Sequence, residues 1–207
     1  MDILAKLFGS ESRVKILRLF LFNQENVYSL DDITTRSKVK TAEVKKELST
    51  LVSIGLIKQK PFVRDVEIKK KKKIITKKIK GNGYILDTRF MYLTALKNLL
   101  ITVSLNSDDD IARRFSKVGK IKLLIAAGVF IQDWNSRVDL LIVGDELNTN
   151  RIQNNIEHLE AELGKQVSYS VLSTEEFEYR VGVYDKLIRD ILDFPHTTII
   201  DRLGVSQ

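Results

Sequence analysis

The chain contains no cysteine, so disulfide frameworks, thiolate metal sites and cysteine nucleophiles are excluded. Histidine is nearly as scarce: His158 and His196 are the two in 207 residues. They lie far apart in sequence, with no carboxylate arrangement around them that suggests a metal, and zinc is not expected. No apolar run approaches the ~20 residues of a membrane-spanning helix; "IKLLIAAGVFI" is among the longest. The N-terminus, "MDILAKLFGSESR", has an early acid and too short an apolar stretch for a signal peptide. These absences predict a cytoplasmic protein with no membrane contact, no metal and no cofactor.

What the chain does have is an ordinary globular mixture, 43% hydrophobic and 29% charged, with a net charge of +7. The distribution of that charge matters more than its size. Residues 58–80 hold eleven Lys or Arg against Asp65 and Glu67, a local excess of +9. Residues 1–57 carry +2, and residues 81–207 carry −4. One basic segment ahead of an acidic C-terminal part implies a localised contact with a polyanion rather than a generally adhesive surface.

Helical periodicity dominates the start of the chain. "SESRVKILRLFLFN" places Val14, Ile16, Leu17, Leu19, Phe20 and Leu21 on a broad apolar face, with Ser10 or Ser12 able to cap its start and Asn23 ending it. In "YSLDDITTRSK", Ser29 followed three residues later by Asp32 is a capping-box pattern, predicting a short helix from about Leu30 to Arg36. "TAEVKKELSTLVSIG" repeats Val44, Leu48, Leu51 and Val52 at helical spacing, and Gly55 supplies a C-terminal stop. Two β-like runs follow, "LIKQKPFVRDVEI" and "KIITKKIKGNGYIL".

Three helices and then a hairpin is the order of a winged helix-turn-helix. The stretches "LFGSESRVKILRLF", "VKKELSTLVSIGLIK" and the strand of Tyr84, Ile85 and Leu86 resemble the winged-helix domains of ArsR-like and MarR-like regulators. With the apolar stripe of the third helix turned inward, Thr41, Lys45, Lys46 and Ser49 stand on or near its open face, and Lys38 and Lys40 at its mouth. Short polar and Lys side chains on such a helix suit the major groove of double-stranded DNA. The run Lys69, Lys70, Lys71, Lys72 and Lys73 then serves as the tip of a wing against the flanking backbone.

"DTRFMYLTALKNLLITVSL" follows, with Asp87 as a candidate cap and Phe90, Met91, Leu93, Leu96, Leu99, Leu100 and Val103 spread almost all round the helix. A helix apolar on several faces needs more than one neighbour. The resemblance implies that this helix, Phe90 to Val103, forms the interface of a homodimer.

The C-terminal half alternates strands and helices. "NSDDDIARRFSKVGK" predicts a helix begun by Asn106 or Ser107, with Asp108 to Asp110 in its first turn where they favour the dipole. "IKLLIAAGVFI" and "VDLLIVG" read as strands and "NRIQNNIEHLEAELG" as a helix ending at Gly164. "QVSYSVL" reads as a third strand, and "TEEFEYRV" and "YDKLIRDILDF" as closing helices. The expected fold class is α+β. It comprises a winged helix over 1–86, a linking and dimerising helix over 87–105 and a small α/β domain over 106–207.

Gly128 after a hydrophobic strand, with "SRVDLLIVGD" soon after and "VSYSVLSTEEF" later, resembles the minimal nucleotidyltransferase domains of the polymerase-β-like superfamily over about residues 107–194. The resemblance implies a Gly-Ser pair for the nucleotide phosphates, then Asp-x-Asp on the next strand and a third acid on a later one, holding two magnesium ions. Here Gly128 remains, but Val129 follows it, and the seven residues between Val129 and Arg137 make a short loop. Arg137 replaces the first strand acid, Asp139 keeps the second, and Gln166, Ser168 and Ser170 occupy the region of the third. A guanidinium a few ångströms from the metal position opposes a cation by roughly a few kcal/mol, and Arg137 is expected to pair with Asp139. The sequence therefore predicts a DNA-binding transcriptional regulator whose C-terminal domain has lost its catalytic and metal sites. That domain is left for assembly or for sensing an anionic small-molecule effector. Two other readings stay open: a magnesium-dependent nucleotidyltransferase that docks substrate through the winged helix, and an antitoxin-like partner protein.

Overall fold

Ser10 sets the first long helix. Its side chain accepts a hydrogen bond from the N–H of Arg13 at 3.0 Å, and α2 runs from there over Glu11–Phe22, after a short helix α1 at Ile3–Phe8. The structure, a computed structural model, describes residues 3–70, 73–101, 108–134 and 136–205, of which 64–70 and 73–79 by backbone alone. The chain folds into two compact units, 1–101 with 161–165, and 102–160 with 166–207. The protein is a mixed α+β molecule, and no helix among the described residues is long and apolar enough to cross a membrane.

In the N-terminal unit, α3 (Leu30–Ser37) opens on the expected capping box. Ser29 accepts from the Asp32 N–H, and the Asp32 carboxylate accepts from the Ser29 N–H at 2.9 Å. These two reciprocal bonds satisfy donors that a helix start otherwise leaves open. α4 (Thr41–Ser53) follows after a turn of three residues and stops before Gly55, whose φ of +77° reverses the chain at little steric cost. Two 14-residue strands, β1 (Ile57–Lys70) and β2 (Lys73–Leu86), then pair antiparallel from Ile57 opposite Leu86 to Lys70 opposite Lys73. Val14, Leu17, Phe20, Ile33, Val44, Leu48, Leu51 and Leu56 form the centre of the core between these elements.

The next helix departs from its expected start. α5 spans Leu93–Ile101, and Asp87 does not cap it. The Asp87 carboxylate instead accepts from the N–H and guanidinium of Arg89 at 3.1 and 3.3 Å, holding a turn. Leu93, Leu96, Leu100 and Ile101 pack on the unit's own core, which gives the apolar circumference much of the company it requires. Leu99 remains 38% exposed and Met91 79% exposed. Val103, Asn106 and Ser107 lie outside the described residues.

The C-terminal unit is built on a four-stranded mixed sheet. β3 is Lys120–Ala126, β4 Leu140–Asp145, β5 Tyr169–Leu172 and β6 Thr197–Asp201, in the spatial order β5-β4-β3-β6. β3 runs antiparallel to both β4 and β6, while β5 lies parallel to β4. Leu123, Ile125, Leu141 and Val143 lie in one core with Phe177 of α8 (Thr174–Gly182) and Ile188 and Ile191 of α9 (Lys186–Leu192). Alternation along the strands puts Leu124 and Ile142 on the opposite face, equally buried. Helices α6 (Asp108–Phe115) and α7 (Thr149–Leu163) are joined by Asn155, which donates to the Arg114 carbonyl at 2.7 Å.

Two expectations change here. The strand read through "IKLLIAAGVFI" ends at Ala126, because Gly128 turns the chain at φ +52° into a single 3₁₀ turn, Gly128–Ile131. β6 has no counterpart in the sequence reading, which ended its ordered elements at the second closing helix.

Candidate functional site

α4 separates its residues cleanly. Val44, Leu48 and Leu51 are buried, whereas Thr41, Lys45, Lys46 and Ser49 are all exposed. Thr41, Lys45 and Ser49 fall four residues apart, so they stand above one another in a single stripe, with Lys46 beside it. The α3–α4 turn adds two cations by alternation. Val39 is drawn into the core, and Lys38 and Lys40 on either side of it stay in water. Lys38 takes a left-handed conformation, φ 51°, to make this turn. The structure thus brings Lys38, Lys40, Thr41, Lys45, Lys46 and Ser49 together around one exposed helix face.

The rotation of that face is set from within. Glu47, on the inner side of α4, is 5% exposed and accepts from Arg13 Nε at 2.7 Å and from the Ser10 hydroxyl at 3.0 Å. One turn earlier, Ser12 Oγ donates to Glu43 Oε2 at 2.6 Å. Charge-assisted bonds are among the stronger polar contacts, and these, half-buried at Glu47 and exposed at Glu43, tie α4 to the start of α2. Glu47 was not singled out from the sequence. Its place on the Val44–Leu48–Leu51 stripe was the available signal, since an acid there has to be paired.

The hairpin adds Lys58, Lys60 and Lys80, all exposed. Lys58 lies 3.6 Å from Asp87 Oδ2. The side-chain hydrogen bond from Arg89 is the main cause that holds the Asp87 carboxyl down, to about 2 from an ordinary 3.8; the Arg89 N–H and the Lys58 charge contribute in the same direction. Lys69, Lys70 and Lys73 lie on the strands at the far end of the hairpin, and Lys71 and Lys72 lie outside the described residues. Lys58, Lys60 and Lys80 thus give the described side chains of the hairpin an exposed basic character suited to a polyanion.

In the C-terminal unit, Gly128, Val129 and Asp139 do converge, and for a structural reason. Asp139 is 6% exposed. Its Oδ1 accepts from the Val129 N–H at 2.7 Å and its Oδ2 from the Ser168 N–H at 2.8 Å. Its own backbone bonds both neighbours as well, donating to the Ser168 carbonyl at 2.7 Å and accepting from the Ala127 N–H at 2.8 Å. One residue therefore joins the turn after β3, the entry to β4 and the entry to β5. Gly128 has to be glycine on two grounds: its positive φ, and a Cβ there would overlap Asp139 Oδ1.

Arg137 does not pair with Asp139. Its guanidinium lies 3.3 Å from Asp190 of α9, with the two side chains 70% and 27% exposed. Backbone N–H groups already serve both Asp139 oxygens, and reaching that buried carboxylate would strip the guanidinium of water. The chain at 137–139 also precedes β4, so strand alternation does not place the two side chains on one face. Arg137 instead lines a recess of ≈ 250 Å³ with Val138, Lys186, Leu187, Asp190 and Ile191. Of the third-acid positions, Ser168 alone meets Asp139, and through its backbone.

Elsewhere in this unit Asp145, at the end of β4, accepts from the Thr174 N–H at the start of α8 at 3.2 Å and lies 3.0 Å from Lys122 Nζ. The hydrogen bond from the Lys122 ammonium, then those from Thr174, keep its carboxyl below the usual range. No family model, curated protein or solved structure matches the chain.

Proposed function

We propose that the chain is a cytoplasmic DNA-binding transcriptional regulator that acts as a homodimer. In this reading the N-terminal unit is a winged helix-turn-helix. α4 enters the major groove, and the β1–β2 hairpin is the wing that follows the flanking phosphates. The observation that carries it is the outer face of α4, where Thr41, Lys45, Lys46 and Ser49 are exposed beside Lys38 and Lys40 while the opposite face holds the core. An α-helix with its side chains is about 10–12 Å across, which the roughly 12 Å wide major groove admits. Lysines at the mouth and on the hairpin supply the phosphate contacts that dominate affinity, and the stripe supplies the base-edge contacts that discriminate.

The C-terminal unit, in the same reading, is a catalytically inactive nucleotidyltransferase-like domain kept for assembly or ligand sensing. The engagement of Asp139 with backbone N–H groups supports this, since both oxygens that would hold a cation are already accepting. The deciding experiment incubates the full chain with fragments of its own genome, sequences what is retained, and repeats the selection with Lys45→Ala and Ser49→Ala. Enrichment of a defined two-fold sequence that the double variant loses supports the reading. Retention of no fragment above a random-sequence control overturns it.

A further inference from the structure

The recess between residues 137–138 and α9 is independent of the proposed DNA contact, and its lining specifies a ligand. Two cations, Arg137 and Lys186, stand against one acid, Asp190, around a floor of Val138, Leu187 and Ile191. Val138 and Ile191 are buried core residues of this unit, so the floor is fixed while the charged rim lies in water. The two cations occur in a segment, 81–207, whose overall charge is −4.

We infer that this recess binds a small monocarboxylate with a compact apolar body. Charge sets the valence. The lining carries one positive charge in excess, which a monoanion neutralises, whereas a phosphate dianion would leave uncompensated negative charge beside Asp190. The planar fork of a guanidinium suits a carboxylate or a phosphate, so the charge balance is what selects the carboxylate head group. The Arg137–Asp190 contact, 3.3 Å long with Arg137 mostly in solvent, is of the weak, exchangeable kind and yields donors to a competing carboxylate. Size sets the body. At ≈ 250 Å³ the recess falls below the roughly 300–1,000 Å³ of sites for drug-sized ligands, so it is too small to enclose a nucleoside triphosphate and large enough for a short branched chain. The site is distinct from the Gly128–Asp139 locus, which is closed by the two residues themselves.

The test titrates the ¹⁵N-labelled full chain with isovalerate, with isovaleramide as the neutral shape control, and with inorganic phosphate. Isovalerate is expected to shift the amide signals of Val138, Leu187 and Ile191 saturably, and isovaleramide and phosphate to leave them in place. Arg137→Gln and Lys186→Met should each weaken isovalerate by about tenfold, as loss of one charge-assisted contact implies. Asp190→Asn should tighten it, because the competing internal carboxylate is gone. Absence of saturable shifts, equal binding of the amide or of phosphate, or an affinity indifferent to all three substitutions overturns the proposal. DNA binding by the same samples is read separately, so failure here and failure of the regulator reading are distinguishable.

Discussion

Gly128 and Asp139 are so closely apposed that a methyl group on the glycine would overlap the aspartate's Oδ1, while that same oxygen accepts from the neighbouring Val129 N–H at 2.7 Å. Gly128→Ala therefore meets both a steric conflict and an unfavourable φ, and is expected to lower stability by roughly 3 kcal/mol. Asp139→Asn replaces one acceptor by a donor that faces a backbone N–H, at a cost of roughly 2–3 kcal/mol. Urea denaturation followed by near-ultraviolet circular dichroism measures both. A midpoint unchanged in either variant would remove Asp139 as the organiser of the three strand entries.

Acid sensitivity gives a second expectation. The Asp87 carboxyl is depressed to about 2 by Arg89 and, less, Lys58. A carboxyl lower in the folded state than in the unfolded one stabilises the fold above the unfolded value, near 3.8, and ceases to do so as pH falls through the folded value. Asp87→Asn should thus lower the denaturation midpoint at pH 7, and the difference from wild type should shrink between about pH 4 and pH 2. A difference constant over that range would mean that charge at Asp87 plays no part.

The proposed DNA contacts should separate by their salt response. Replacing Lys69 to Lys73 by glutamine should weaken binding to every duplex and reduce the slope of log K against log salt by about 0.9 for each lysine that meets a phosphate. Replacing Lys45 and Ser49 should change which sequences are preferred and leave most of the slope intact. Fluorescence anisotropy over a salt series reads both, and an unchanged slope in the hairpin variant would refute the wing.

The proposed homodimer is best probed at Leu99. Leu96 packs on the unit's own core, so a charge there would damage the fold and confuse the outcome. Leu99 is 38% exposed, and Leu99→Glu should leave the monomer folded yet sediment as a monomer at micromolar concentration. Operator affinity should fall by about 10² or more as the second half-site loses its high effective concentration. A wild-type chain that is itself monomeric would dispose of the idea.

What the sequence disclosed follows the range of the interactions concerned. Ser10, Ser29 with Asp32, and Gly55 act on residues within one helical turn, and the helices they bound were legible. α1 was not, since Ile3–Phe8 has no cap pattern and its six residues are too few for a periodicity to register. β6 was missed because the five residues of "TTIID" lack an apolar-polar alternation and are all only partly buried at a sheet edge. Around Asp139, the residue types suggested a side-chain partner for a buried acid. The actual partners are main-chain N–H groups ten and twenty-nine positions away, and main-chain donors carry no sequence signature. Arg137 and Asp190 lie 53 positions apart and meet through the packing of α9 on the sheet, a relation that no local pattern records.

The inner bond of α4 has a consequence for how such a surface could change. Glu47 fixes the helix through Arg13 and Ser10, on the side away from Thr41, Lys45 and Ser49. Substitutions along the outer stripe leave that anchor untouched, so the chemistry presented to a partner can be rewritten one side chain at a time while the helix keeps its register. Preference and foldability are thereby carried by different residues of the same thirteen-residue helix, and a drift in the first need not be accompanied by a loss of the second.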